Sequence, residues 1–365
     1  MDIEGPLNPR FAPIRDALAA SIDRGDDLGA GVCAIVDGDV VADLRGGFRD
    51  RKRETPFGDP LLCVYSCGKA VTGAVIMAAV EAGQLDYDAP VASVWPEFGA
   101  HGKDRVTLAE ALSHQAGLSG FLKEIDPTMW IDWARMTEAL AAMEPIYPPG
   151  SASGYHAQTV GFIAGEVLRR QTGKTVGAAL REYGLEVYCG LTADEMAQTA
   201  PMKKPPSAPD LGRLTPLKKA VFLEKWSAPR NIDREAWMAA EIPSANIHAT
   251  ARGMAEVMQA FATGQINGKP VASDAVREAA LRERISGQDL VLPFELSWAS
   301  GVMRNRDGQL GPGAEAVGHY GFGGACVIAD PTHRLSFAYV PNKMSPALIA
   351  DPRAIGLLEA LYACF

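Results

Sequence analysis

The sequence predicts an α+β fold in which an antiparallel sheet is assembled from both ends of the chain around a mostly helical insertion. Short β-prone runs lie near the amino terminus and return after about residue 290, whereas the segment from roughly 66 to 240 is rich in Ala, Leu and Glu. Helical spacing of apolar residues at both termini predicts helices that flank the sheet. With 365 residues, 47% of them hydrophobic, the chain can bury a large core.

The first elements follow from periodicity and turn residues. Apolar side chains at helical spacing predict an amphipathic helix near the amino terminus, with Phe11, Ile14, Leu18 and Ile22 on one face. The next segment, GVCAIVDGDVVADLRGG, places two β-prone runs around Asp37-Gly38, which is a strong hairpin signal. A helix is then predicted from about Ser66, with Gly83 placed to end it.

The later elements define the predicted division of the chain. WASGVMR, GACVIAD and LSFAYVPN are short β-prone runs, and the last helix carries Ile355, Leu358 and Tyr362. Five prolines between Pro201 and Pro216 indicate an irregular surface crossing or a lid. We therefore predict a sheet domain from residues 1–65 and 241–365, a helical domain from 66–240, and an active site at their junction.

Composition narrows the functional classes. A formal net charge of -9 disfavours nucleic-acid binding, and no apolar run reaches the length of a membrane span. The first residues show no basic segment followed by an apolar one, so no signal peptide is expected and a cytoplasmic location is predicted. The six cysteines lack zinc-site spacing and the histidines are scattered, so we expect free thiols, no metal site and no cofactor.

The sequence contains a single S-x-x-K segment, Ser66-Cys67-Gly68-Lys69, and no G-x-S-x-G, H-E-x-x-H or Walker loop. Residues three apart share a helix face, so Lys69 can reach the Ser66 hydroxyl. The positive end of a helix also favours an oxyanion formed when Ser66 attacks a carbonyl. The alternative is an N-cap serine followed by an ordinary helix lysine.

Two further blocks could complete such a site. Tyr155 stands between a Pro-Gly turn and a predicted helix in PGSASGYHAQTVGF, and His319-Tyr320-Gly321 opens the run GHYGFGGACVIAD. Glycine in the second block allows a backbone to approach a substrate closely. Each block taken alone is equally compatible with a packing role.

Together the three blocks resemble the serine β-lactamase and penicillin-binding superfamily, and their order is similar to its class C branch. The closest resemblance is to the family VIII carboxylesterases, the esterase relatives of class C β-lactamases. LSHQAGLSGF, IPSANIHATARGMAEVMQAF and GGACVIADPTHRLSFAYVPN extend the similarity over essentially the whole chain. The resemblance implies a β-lactamase/transpeptidase-like fold.

The resemblance also implies roles for particular residues. Ser66 would be the nucleophile, Lys69 its activating neighbour, and Tyr155 the general base that shares a proton with Lys69. The Ser66 and Phe322 N–H groups would form the oxyanion hole. The residues expected to bind substrate are Phe121, His156, His319, Tyr320 and Gly321.

Two departures from the class C pattern bear on the substrate. Ala157 stands where that pattern has an asparagine that contacts the substrate amide, and His319 stands where it has a lysine. An unperturbed histidine is mostly uncharged at neutral pH, so attraction for a substrate carboxylate is lost. We therefore predict hydrolysis of short neutral esters.

The alternatives are a β-lactamase, D-amino-acid peptidase or acyltransferase that uses the same site, and a non-catalytic binding relative. The expected partner is a small-molecule ester. The sequence leaves the acyl chain length open, and it allows a homo-oligomer.

Overall fold

A computed structural model describes residues 1–365, and its main feature is a nine-stranded antiparallel sheet. The strands are β1 (Ile3–Glu4), β2 (Gly29–Val36), β3 (Asp39–Gly47), β4 (Leu62–Cys63), β5 (Val187–Tyr188), β6 (His248–Ala249), β7 (Gln265–Ile266), β8 (Lys269–Pro270), β9 (Ile285–Gln288), β10 (Glu295–Trp298), β11 (Met303–Arg304), β12 (Val317–Tyr320), β13 (Cys326–Asp330) and β14 (Leu335–Pro341). The main sheet has the order β1-β3-β2-β14-β13-β12-β11-β10-β9, and two small sheets have the orders β4-β6-β5 and β7-β8.

Twelve α-helices accompany the strands. They are α1 (Ala12–Asp23), α2 (Gly68–Glu81), α3 (Leu108–Leu112), α4 (Trp133–Ala142), α5 (Thr159–Thr172), α6 (Val176–Arg181), α7 (Ala193–Ala197), α8 (Pro216–Phe222), α9 (Arg234–Ala239), α10 (Ala251–Thr263), α11 (Asp274–Leu281) and α12 (Pro352–Tyr362). Short 3-10 helices occupy Pro9–Phe11, Tyr65–Cys67, Val91–Ser93, Pro96–Gly102 and Pro127–Ile131. No helix combines the length and the apolar character needed to cross a bilayer.

The sheet joins the two ends of the chain, as the sequence predicts. Strand β14 pairs with β2 over seven residues, with Tyr339 opposite Val32, and this pairing connects the amino-terminal hairpin to the carboxy-terminal strands. The hairpin turns at Asp37 and Gly38, which both adopt positive φ, at 52° and 85°. A two-residue loop with both φ values positive suits the right-handed twist of the paired strands. The structure thus confirms the α+β fold with an antiparallel sheet.

Successive residues of a strand point to opposite faces of the sheet, and here apolar side chains point to both faces. Helices therefore cover both faces of the sheet. Val32 and Ala34 belong to the core that includes Ile14 of α1 and Leu357 of α12. On the other face, Cys33 lies in the larger core with residues of α2 and α10. This larger core contains side chains from both the predicted sheet domain and the predicted helical domain. The boundaries at 65/66 and 240/241 remain a prediction.

The structure corrects two local expectations. WASGVMR is not one strand: it ends β10, turns at Gly301 with φ at +89°, and begins β11. A Cβ on Gly301 would lie 2.9 Å from the Gly73 Cα of α2, so close packing against that helix explains the turn. His319 and Tyr320 end β12 rather than open the following strand. By contrast, the irregular segment predicted from the prolines is confirmed, since the residues between α7 and α8 form neither helix nor strand.

Candidate active site

Ser66 lies in the tight turn that connects β4 to α2. The turn is a 3-10 helix, Tyr65–Cys67, and α2 begins only at Gly68. Ser66 therefore precedes the α-helix, which the sequence predicts to begin near this residue. The Val64 N–H donates to Ile247 O at 2.9 Å, and Tyr65 adopts a φ of +45°, which is uncommon for a residue with a side chain. The hydrogen bonds of the turn itself come from the N–H groups of Cys67, to Val64 O, and of Gly68, to Tyr65 O.

Lys69 contacts the serine from the first turn of α2. Its Nζ lies 3.0 Å from Ser66 Oγ, 2.7 Å from Ala157 O and 3.0 Å from Ser244 O. Only 3% of Lys69 is exposed. Burial lowers the pKa of its amine well below the usual range, because the charged form is desolvated. Lys69 Nζ donates to Ser66 Oγ and to both carbonyls, so three hydrogen bonds hold the amine against the serine.

Tyr155, in the segment that precedes α5, contacts the same serine oxygen. Its Oη lies 2.6 Å from Ser66 Oγ, and Lys69 Nζ lies 4.7 Å from its ring centre. The Tyr155 N–H donates to Asp289 Oδ1 at 3.0 Å, and the ring packs edge-on against His114 with centroids 4.9 Å apart. Burial raises the pKa of Tyr155 above its usual value. The structure therefore brings Ser66, Lys69 and Tyr155 together.

A glycine-rich turn after β12 carries the second predicted oxyanion donor. The Gly324 N–H donates to Gly321 O at 3.0 Å, and Gly323 has a φ of +100°, which is the pattern of a type II turn with Phe322 at its second position. The Phe322 N–H has no partner in the fold. A Cβ on Gly321 would lie 2.2 Å from Val64 O, so glycine lets this turn touch the Ser66 turn. We call residues Gly321–Gly324 the oxyanion turn.

His319 lies beside Tyr155, but it is an interior side chain. It is 3% exposed, its ring centre is 6.0 Å from that of Tyr155, and its Nδ1 pairs with Tyr320 O at 2.7 Å. Its Nε2 is buried and has no partner. Burial, with a smaller contribution from Lys69, lowers its pKa to about 3. The imidazole is therefore uncharged at neutral pH and supplies no cation to a substrate carboxylate.

Three residues expected to bind substrate have side chains that point elsewhere. Tyr320 is 3% exposed and its Oη donates to Gln309 O at 2.8 Å. His156 is fully buried, and its Nε2 accepts the Leu118 N–H at 3.0 Å. Phe121 packs edge-on against Trp130 with centroids 6.0 Å apart. All three side chains are buried and packed within the fold, and substrate contact at these positions stays a prediction.

Several contributors to the site could not be found from residue type. Ala157 and Ser244 act through backbone carbonyls, which no side-chain motif reports. Asp289 holds the backbone of Tyr155 from a loop 134 residues further along the chain. His114 accepts the His156 N–H through Nδ1 at 3.1 Å and has a φ of +66°. No three His, Cys, Asp or Glu side chains converge as metal ligands would.

Comparison with known proteins agrees with this geometry. The Beta-lactamase family model matches residues 14–361. The chain belongs to this family. A relative from Mycobacterium tuberculosis, "Esterase/beta-lactamase LipL", is 33% identical and the match covers 95% of this chain and 85% of the relative.

Two solved structures of family members are similar over their whole length. A penicillin-binding protein homolog from Caulobacter crescentus superposes with a TM-score of 0.96 at 47% identity, and the match covers 100% of both chains. A family VIII carboxylesterase superposes with a TM-score of 0.93 at 35% identity, again over 100% of both chains. The β-lactamase/transpeptidase-like fold and the resemblance to family VIII carboxylesterases are thereby confirmed. The protein is a β-lactamase-like serine hydrolase.

Proposed function

We propose that this family member is a carboxylesterase that cleaves short neutral esters through an acyl-enzyme on Ser66. One observation carries the proposal: Ser66 Oγ lies within hydrogen-bond distance of both Lys69 Nζ, at 3.0 Å, and Tyr155 Oη, at 2.6 Å. A base and an acid at one hydroxyl are what nucleophilic catalysis on an ester requires. The unbonded Phe322 N–H, together with the Ser66 N–H, would supply donors for the oxyanion.

In the acylation step, Ser66 Oγ forms a bond to the ester carbonyl carbon while its proton passes to Lys69 Nζ. We assign this role to Lys69 rather than Tyr155, because burial favours the neutral amine and the neutral phenol alike. The tetrahedral oxyanion accepts the Ser66 and Phe322 N–H groups. When the bond between carbonyl carbon and alkoxy oxygen breaks, Tyr155 Oη gives its proton to the departing alcohol.

Deacylation restores each proton to its origin. After acylation the pair consists of a Lys69 ammonium and a Tyr155 phenolate, and the ammonium, 4.7 Å from the ring centre, stabilises the phenolate. Tyr155 Oη takes a proton from water as the water oxygen attacks the acyl carbon. Lys69 returns its proton to Ser66 Oγ as the acyl–oxygen bond breaks. Tyr155 is thus the general base of the second step.

Neutral esters suit the charges around the serine. Burial keeps His319 uncharged, and Lys69 is enclosed by Ser66 and two carbonyls. Ala157 has no side-chain amide to bind a substrate amide. The 35% identity to a family VIII carboxylesterase over the whole chain supports the same substrate class.

A second candidate is β-lactam hydrolysis at the same serine. The name of the Mycobacterium tuberculosis relative includes β-lactamase beside esterase, and this relative is 33% identical. The absence of a side-chain amide at 157 and of a cation at 319 weighs against it. The two candidates differ in the rates with p-nitrophenyl acetate and with nitrocefin, for which kcat/KM is measured on one preparation.

The experiment combines these substrates with a covalent label. Wild-type protein is expected to favour p-nitrophenyl acetate by at least about a hundredfold in kcat/KM. The reason is that the site has no cation at 319 for the carboxylate of nitrocefin and no side-chain amide at 157 for its amide. A fluorophosphonate should add mass to the peptide that contains Ser66, and Ser66→Ala should remove both turnover and label. Comparable rates with the two substrates would favour the second candidate.

Ser151→Ala is the matched control. Ser151 is an exposed serine whose hydroxyl donates to Pro148 O at 2.6 Å, so its loss should leave activity and labelling unchanged. A label on another peptide, or a Ser66→Ala protein with wild-type turnover, would rule out the acyl-enzyme on Ser66.

A further inference from the structure

A buried cluster of charges lies directly behind the oxyanion turn. Arg353, near the start of α12, has a side chain only 8% exposed and pairs with Asp27 at 3.0 Å and Asp351 at 2.8 Å. The side chains of these two carboxylates are 0% and 1% exposed. Tyr339 Oη donates at 2.7 Å to Asp27 Oδ1, the same oxygen that accepts from Arg353 Nη1. The guanidinium is therefore held at a fixed place in the interior.

The same guanidinium contacts the oxyanion turn itself. Arg353 Nη2 donates to Gly323 O at 2.9 Å, and Nη1 donates to Lys343 O at 2.7 Å. A Cβ added to Gly324 would lie 2.2 Å from Arg353 Nη2, so the turn and the cation are in tight contact. Phe322 is the only residue of the turn with a side chain, and 38% of it is exposed. The turn therefore depends on contacts to its backbone.

Glycine-rich turns are free to adopt several conformations unless neighbouring groups select one. Gly323 O accepts two donors, the Arg353 guanidinium and the Ser345 N–H at 2.9 Å. These bonds fix the Gly323 carbonyl, which belongs to the residue that follows Phe322. Fixing it limits how far the type II turn can rotate, and with it the direction of the Phe322 N–H.

We propose that Arg353 is a positioning residue that aims the Phe322 N–H at the oxyanion. It touches neither the substrate nor Ser66, and the inference rests on the proposed acyl-enzyme function. Arginine suits this position because its planar group can serve two carboxylates and two carbonyls at once. A lysine would keep the charge that balances Asp27 and Asp351 but could not make all these bonds.

The test compares Arg353→Lys with wild type on p-nitrophenyl acetate and on its thiono analogue, in which sulfur replaces the carbonyl oxygen. Sulfur is a poor acceptor in an oxyanion hole, so the ratio of kcat/KM values for oxygen and sulfur substrates measures that hole. We expect Arg353→Lys to lower kcat/KM for the oxygen ester about tenfold or more, since small misplacement of a catalytic donor has large effects. The ratio should fall by a similar factor.

Two further comparisons, a second single variant and a double variant, distinguish a positioning role of Arg353 from a general loss of structure. Asp351→Asn keeps the acceptor that caps α12 but weakens the grip on the guanidinium, so it should lower the ratio in the same direction by less. In a Phe322→Pro background, which already lacks the donor, Arg353→Lys should cause less than about a twofold further loss. Tyr339→Phe removes one bond to Asp27 but leaves every hydrogen bond of the Arg353 guanidinium in place, so it should leave the ratio unchanged.

The results for the Arg353 variants and for the wild-type protein separate the positioning role of Arg353 from the proposed esterase function. An unchanged ratio in Arg353→Lys, or an undiminished loss in the Phe322→Pro background, would overturn the inference while wild-type ester hydrolysis upheld the proposed function. A wild-type protein that hydrolyses no ester and takes no label at Ser66 would refute the proposed function and this inference with it.

Discussion

Replacing Phe322 with proline should abolish one oxyanion donor while leaving the fold intact. Proline has no N–H, and it is favoured at the second position of a type II turn, which Phe322 occupies between Gly321 and Gly323. The Phe322 N–H has no partner in the fold, so its removal breaks no internal hydrogen bond. The change therefore removes a group that only a bound substrate would use.

The expected loss of kcat follows from the contribution that one oxyanion-hole donor makes to transition-state stabilisation. Removing a single oxyanion-hole donor lowers kcat by about a hundredfold to a thousandfold, or about 2.7–4 kcal/mol of transition-state stabilisation. The variant also loses the Phe322 ring, which packs edge-on against Tyr65 with centroids 5.7 Å apart. Phe322→Ala loses that ring but keeps the N–H, so it is the matched control.

The assay is kcat/KM for p-nitrophenyl acetate in the two variants, with thermal unfolding measured beside it. Phe322→Pro should be at least about a hundredfold slower than Phe322→Ala at similar thermal stability. If a folded Phe322→Pro protein works within a few-fold of Phe322→Ala, the Phe322 N–H is not an oxyanion donor and the reasoning fails.

Two further predictions concern the titratable groups. Lys69→Met and Tyr155→Phe should each lower kcat by about a hundredfold or more, and the double variant should be hardly slower than the worse single one, because both groups contact Ser66 Oγ and act as one proton-transfer unit; losses that multiply would contradict such a unit. Burial lowers the pKa of His156 and of His319 to about 3, so the unfolded chain binds their protons from about pH 6.5 downward while the folded protein does not. Stability should therefore fall as the pH drops through this window, by on the order of 2 kcal/mol per histidine between pH 6.5 and 4.5. Circular dichroism during acid titration should show His156→Gln unfolding at a lower pH than wild type, and an unshifted midpoint would argue against a neutral buried His156.

Local signals in the sequence are enough to predict the fold class and the pairing of Ser66 with Lys69. The β-prone runs at both ends and the Asp37-Gly38 turn predict the sheet because these signals are local, and the structure pairs those runs as β2, β3 and β14. The spacing of Ser66 and Lys69 is also local, since a helical turn brings residues three apart together. The resemblance to a known family placed Tyr155 with them, although 89 residues separate Tyr155 from Ser66.

Which residues surround Ser66 and Lys69 depends on how the whole chain packs. Burial is a property of the packed chain, so the sequence alone could not show that His156 and Tyr320 face the interior or that Lys69 is desolvated. Backbone groups carry no sequence signature, which explains why the carbonyls beside Lys69 were not foreseen. The contact between Arg353 and Gly323 O joins residues 30 apart across two elements, and only folding brings them to 2.9 Å.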